Sequence, residues 1–236
     1  MRCQILSLTR AQGLRRQTML EGQREGWLCE VETDAGAAYA LLREGGWAAC
    51  VFCDGPEGRA LAARLWERPP VAPPWLAAEF PCPGADAVLR GEELVALPAR
   101  VEQWESAGHV PRLALYHLPA LNCLAQGLLR QLGMREGLGA WRFLPDMAAL
   151  AAAHPPLLHD LKGRLYPLAA RRHGLRPGAV EHSLRLAVES TWMRGSLLGL
   201  ERFFGHSVDP ERGKPTNREF LYRLQERLTL AARRIQ

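Results

Sequence analysis

No lysine occurs in the first 106 residues of this 236-residue chain, and no serine or threonine occurs between Thr33 and Ser106. No stretch reads as a membrane span either. The longest charge-free run, Leu113 to Leu129, is interrupted by His117, Pro119, Asn122 and Gln126. The opening MRCQILSL is too short for a signal peptide and lacks a cleavage site, so a cytoplasmic location is expected. No second cysteine pair and no histidine pair has zinc spacing. The one C-x-x-C, Cys50 to Cys53, lies in WAACVFCD, which reads as a buried strand. A redox pair belongs at a helix N-terminus, where the thiolate is stabilised, so free thiols packed in a core are expected instead. There is no Gly-rich phosphate loop, no metal cluster, and no nucleophile–base pair with an orienting third residue. Neither catalysis nor a cofactor is expected.

What is present is enough apolar material, 47% of residues, for one large domain or two small ones. The charge is divided unevenly. Residues 1–106 hold eleven Arg against fifteen Asp or Glu, a balance of −4, and residues 107–236 hold nineteen Lys or Arg against ten Asp or Glu, a balance of +9. A basic half joined to an acidic one points to a polyanionic partner for the basic half.

The two halves also differ in pattern. Residues 1–105 alternate strand and helix candidates. CQILSL, WLCEVET, WAACVFCD and PWLAAEF are strands, and RAQGLRRQTMLEGQREG, AGAAYALLREG, GRALAARLWER and the end of LVALPARVEQWE are helices. Strands alternating with helices of this length predict a parallel sheet covered on both faces. Residues 106–118 read as a linker or as a helix extension docked on one domain. Residues 119–236 show no strand alternation, and their periodicity predicts helices near 119–132, 141–153, 157–173, 177–194, 196–204 and 216–234.

Residues 174–192, GLRPGAVEHSLRLAVESTW, carry the sharpest pattern. Val180, Leu184, Ala187, Val188 and Thr191 fall on one arc of a helix, and Glu181, His182, Arg185 and Glu189 on the neighbouring arc. Gly174 closes the basic end R-R-H of the preceding helix, and Pro177 suits the first turn of the next. Helix, Gly-containing turn, helix is the frame of a helix-turn-helix, whose second helix enters the major groove led by its N-terminal residues. Arg185 can fork onto a guanine, Glu181 can accept from a cytosine amine, and His182 can reach base or phosphate. Thr216 and Glu219 form a capping box that opens the last helix, with Lys214 just before it, a place suited to an anion.

A longer set of residues resembles one family. Leu165-Tyr166-Pro167 with Ala169, Val180-Glu181, Arg185, Ala187, Glu189, Trp192, Arg194-Gly195, Phe204-Gly205, Lys214-Pro215-Thr216-Asn217 and Glu219-Phe220 resemble the effector domain of the stage zero sporulation protein A family of response regulators. The similarity covers roughly residues 119–230. It implies an all-helical domain of six helices with a helix-turn-helix, binding double-stranded DNA as a homodimer on tandem sites. It places Glu181, His182 and Arg185 on bases. The phosphate candidates are Lys214, Arg172, Arg176, Arg194, Thr216 and Asn217. Arg194 has a structural alternative, pairing with Glu189 or a backbone carbonyl, and Trp192 is expected in the core. Three positions depart from the family pattern: His182 stands for the usual Arg, Leu186 for a polar or basic residue, and Ala179 for a basic one.

The N-terminal half resembles that family's receiver domain, a flavodoxin-like, doubly wound parallel sheet, with its chemistry lost. Asp54 falls at the phosphoacceptor position. Yet Thr9-Arg10 replaces the acidic pair that would hold Mg²⁺, no Ser or Thr follows the fourth strand, and Arg90 stands for the receiver lysine. The fourth helix is expected to be reduced or missing. Asp54 is therefore expected to pair with Arg10 or Arg90 and not to be phosphorylated, the domain serving a protein partner or dimerisation. These readings imply an α/β domain (1–105), a linker (106–118) and an all-α domain (119–236). The function expected is a sequence-specific transcriptional regulator that works without aspartyl phosphorylation. The alternative is an interaction protein that heterodimerises with an intact family member and titrates it.

Overall fold

The computed structural model describes residues 4–8, 28–89, 91–205 and 213–235. The helix expected over residues 10–26, and with it Thr9, Arg10 and Arg90, lies outside them. The chain divides into two compact units, residues 1–116 and 117–236. The first is built on a small parallel sheet and the second is helical.

Among the described residues five strands form the sheet: β1 (Gln4–Leu8), β2 (Leu28–Glu32), β3 (Ala49–Phe52), β4 (Trp75–Ala78) and β5 (Ala87–Val88). All neighbours are parallel, in the order β2-β1-β3-β4-β5, with Leu6 opposite Cys50 and Cys50 opposite Leu76. Four strands match the sequence expectation; β5 adds a two-residue strand. Residues 79–86 join β4 to β5 without a helix. Side chains alternate across the sheet. Cys50 and Phe52 face helices α1 (Ala35–Glu44) and α2 (Pro56–Glu67), together with Leu42, Leu61 and Leu65. Ala49, Val51, Trp75 and Ala77 face the opposite layer, where Leu94, Leu97 and Val101 come from a 3₁₀ turn (Gly91–Ala96) and α3 (Leu97–Ser106). Burial on both faces is why β3 reads as a continuous apolar run. Cys50 and Cys53 are free thiols, and burial pushes the Cys50 thiol up, as befits a packed thiol rather than a redox one.

Residues 106–118, expected as a linker, hold the end of α3, a turn and the start of a long helix α4 (Arg112–Gln131). Pro119 lies inside α4 rather than opening it. Beyond the proline, Leu121, Ala125 and Leu129 are buried at helical spacing, and this stripe keeps the chain helical there.

The helical unit continues with α5 (Leu144–Ala153), α6 (Tyr166–His173), α7 (Pro177–Arg194), α8 (Leu197–Phe204) and α9 (Asn217–Arg233). Every residue of α5 is buried, and α9 packs along it. The single helix expected over 157–173 is instead three segments. A 3₁₀ turn (Pro155–His159) ends at Asp160, whose side chain accepts from the Gly163 N–H at 2.8 Å and so caps a fresh π turn (Leu161–Leu165) before α6 begins. An aspartate able to bond its own backbone broke a pattern that Leu158, Leu161 and Leu165, all buried, appeared to continue. At the junction of α7 and α8 the backbone passes very close to the end of α4, where the Ser196 N–H donates to the Leu132 carbonyl at 3.1 Å. A Cβ on Gly195 would lie 2.3 Å from the Thr191 carbonyl oxygen and 2.5 Å from that of Leu132.

Candidate nucleic-acid interface

The α6–turn–α7 pair is held from behind by one buried carboxylate. Asp146, 6% exposed in the first turn of α5, accepts from Arg172 Nε at 2.7 Å and Nη2 at 2.9 Å, and lies 3.1 Å from His173 Nε2. The carboxylate holds the Arg172 guanidinium above its ordinary range, chiefly through the hydrogen bonds. Arg172, expected on a phosphate, is thus a tie between α5 and α6. Gly174 then turns the chain with φ at 64°, where a side chain would be strained, and Pro177 opens α7.

α7 buries Val180, Leu184, Ala187, Val188 and Thr191, the arc expected from the sequence. The opposite arc, at successive turns, is His182, Leu186, Glu189 and Met193. His182 and Arg185 are both exposed. Glu181 lies on the flank. Its carboxylate accepts from Arg185 Nη2 at 3.2 Å and lies 3.9 Å from Lys162 Nζ.

Beside α7 is a cleft of about 730 Å³ whose charged lining includes Lys162, Glu181, Arg185, Glu189, Lys214 and Arg218. The chain has two lysines, and both line this cleft. Lys214 Nζ donates to Glu189 Oε1, and that bond holds the Glu189 carboxyl below its ordinary range. The start of α9 forms another wall. Thr216 caps it by accepting from the Glu219 N–H, and Glu219 Oε2 accepts from the Thr216 N–H at 2.7 Å, completing the expected capping box.

Two expected phosphate ligands are therefore occupied within the unit. The Thr216 side chain is the cap. Asn217 Nδ2 donates to the Glu181 carbonyl at 3.2 Å and lies 3.4 Å from Tyr166 Oη, fastening α9 to α7 and α6. Arg176 and Arg194 are exposed and form no ion pair among the described residues. Arg194 does not take Glu189, which belongs to Lys214. Two further cations of the cleft, Lys162 and Arg218, were not singled out in the sequence, and Arg218 Nη2 donates to the His159 carbonyl at 3.3 Å. Their signal was faint: Lys162 is one of only two lysines, and Arg218 follows the capping threonine. Trp192 meets Phe204 edge-on at 5.5 Å, and Phe204 meets Phe220 at 5.8 Å, so Trp192 is part of the aromatic core.

In the other unit, Asp54 accepts from Arg59 Nη2 at 2.7 Å, both side chains being half exposed. The Asp54 N–H donates to Glu79 Oε2 at 2.9 Å, and the Arg59 guanidinium sits 4.6 Å from the centre of the Phe80 ring. The partner of Asp54 among the described residues is thus Arg59, from α2, where Arg10 or Arg90 was expected. Among the described residues no group of His, Cys, Asp or Glu could hold a metal ion.

Residues 125–228 match the family described as the sporulation initiation factor Spo0A C terminal. The helical half carries a Spo0A-type effector domain. Such effector domains bind DNA and act in transcription regulation. The matched stretch begins inside α4 and ends within α9, so it takes in α6, α7 and the cleft between them and α9. No helix among the described residues is long and apolar enough to cross a membrane.

Proposed function

We propose that the protein is a sequence-specific transcriptional regulator, cytoplasmic, that lays α7 in the major groove of double-stranded DNA as the second helix of a helix-turn-helix. The observation that carries this is the outer arc of α7: exposed His182 and Arg185, backed by a fully buried arc and flanked by a cleft with four cationic side chains. His182 and Arg185 read base edges, Arg185 by leaving Glu181 to fork onto a guanine. Glu181 sits on the flank and serves first to hold Arg185 and Lys162 in readiness. Lys162, Lys214, Arg218, Arg176 and Arg194 take phosphates, and these contacts set register without reading sequence. Arg172, Thr216 and Asn217 keep the reading helix in place.

The N-terminal unit supports a receiver-like reading: the strand order 2-1-3-4-5 with helices on both faces is that of flavodoxin-like folds. It works without phosphorylation, because the surroundings of Asp54 carry Glu79, which accepts from the Asp54 N–H, in place of a hydroxyl. The unit then serves dimerisation on tandem sites or a protein partner.

The test is fluorescence anisotropy of the full chain on a duplex selected from a random library and on a scrambled version, each at two salt concentrations. Tighter binding to the selected duplex at both salts, without a phosphodonor, is the expected result. Equal and steeply salt-dependent binding to both would leave phosphate contacts alone, overturn sequence-specific reading, and favour the titration alternative.

A further inference from the structure

The outer arc of α7 holds a large apolar side chain where a DNA-reading helix would present polar groups. Leu186 is 50% exposed, one turn beyond His182 and one turn before Glu189. It lies beside Arg185 and opposite the buried arc of Val180, Leu184 and Ala187. The major groove offers a leucine little. Cytosine N4, guanine O6 and adenine N6 are polar, and an isobutyl group pressed on them would strip their water and return no hydrogen bond. The thymine C5-methyl is the apolar feature of the groove wall.

Resting on the placement of α7 in the major groove, we propose that Leu186 is a specificity-determining residue that packs on the C5-methyl of a thymine next to the base pair met by His182 or Arg185. The operator then carries a thymine at a fixed place in each box. The leucine supplies discrimination through a methyl group, where a polar residue would use hydrogen bonds. A cytosine methylated at C5 presents the same methyl in the groove and is the natural mimic.

The experiment uses the full chain and a box selected from random duplexes. Each thymine of the box is replaced in turn by deoxyuridine, which removes the methyl and nothing else. One position should weaken binding about four-fold, the worth of one methyl removed from water. Leu186→Ala should bind the same box with the same salt slope but lose that difference. Leu186 is half exposed, so the variant is expected to fold, and circular dichroism checks it. C5-methylcytosine at the sensitive position should bind better than cytosine with the wild-type chain and no better with the variant. If no thymine is sensitive to loss of its methyl, or if Leu186→Ala keeps the full sensitivity, the assignment fails while sequence-specific binding stands. If no box is enriched at all, the groove-reading function fails and the assignment goes with it.

Discussion

Asp146 and Arg172 form a two-bond fork, 2.7 and 2.9 Å, between α5, which is buried along its whole length, and α6. The carboxylate is inside and the guanidinium is partly out. Removing the arginine takes away both bonds of the fork and leaves the buried carboxylate only His173 Nε2, 3.1 Å away, a loss of about 1–3 kcal/mol. Arg172→Ala should therefore lower the unfolding free energy of the helical unit by about that much, measured by urea titration. The salt slope of DNA binding should not change at temperatures where the variant is folded. A slope smaller by about one would restore Arg172 to the phosphate list.

Lys214 behaves differently because its partner is exposed. Its bond to Glu189 can be exchanged for a phosphate oxygen at little cost, since both groups remain wet. Lys214→Ala should weaken binding to specific and scrambled duplexes alike and reduce the salt slope by about one. Glu189→Gln should do the reverse at low salt, strengthening binding to both duplexes by freeing the lysine and removing a negative charge from the outer arc. Anisotropy titrations at several salt concentrations decide both. A variant that altered only the specific duplex would place the residue on a base.

These two pairs show what was legible in advance. Helix periodicity identified the buried arc of α7, and Gly174, Pro177 and the Thr216–Glu219 box marked its neighbours, because caps and arcs depend on residues close in sequence. Alternation likewise exposed β1 to β4. The partner of a charge was not legible. Arg172 and Asp146 are 26 positions apart, and Asn217 reaches the Glu181 carbonyl across 36. An arginine bound for a phosphate and one bound for a buried aspartate look alike in sequence. Asp160 was a local miss: its cap was readable, but the leucines on either side suggested one uninterrupted helix.

Gly195 explains one part of the resemblance in physical terms. A Cβ there would sit within 2.5 Å of two backbone carbonyl oxygens, from α7 and from the end of α4, and neither can swing aside as a side chain could. Gly195→Ala should destabilise the helical unit by about 1–3 kcal/mol through overpacking. Gly178→Ala, on the open first turn of α7 with nothing near its Cβ, should leave stability unchanged or raise it slightly. Thermal unfolding of the two variants side by side tests the contrast.

Asp54 should be silent towards phosphodonors. Its pair with Arg59 is exposed and readily exchanged, but Glu79 adds a second negative group where an incoming phosphoryl oxygen would need a donor. Incubation with a small-molecule acyl phosphate and Mg²⁺ should give no mass increase by intact-protein mass spectrometry. Asp54→Ala should bind DNA as the wild type does, with or without the donor. A Mg²⁺-dependent adduct lost in Asp54→Ala would overturn the account of this unit.

Acid should act on the two units in opposite directions. Asp86 bonds the N–H of Leu76 at 2.7 Å and of Arg112 at 2.8 Å, yet burial dominates and pushes its carboxyl up from 3.8 to about 6. A carboxyl raised on folding favours the folded state most below pH 3.8, and that contribution is lost as pH rises through about 6. His154 is the converse. Burial, then the nearby Arg164 and His159 charges, lower its imidazole from 6.5 to about 3, so its contribution is present above pH 6.5 and is lost as pH falls towards 3. Between pH 6 and 4 each group changes stability by about 1.4 kcal/mol per pH unit, with opposite signs. Native-state hydrogen exchange on the full chain reads the two units separately. Asp86→Asn should remove the acid gain of the sheet unit and leave the acid loss of the helical unit intact. If the sheet unit of Asp86→Asn followed the wild-type pH profile, Asp86 would not be the group that titrates.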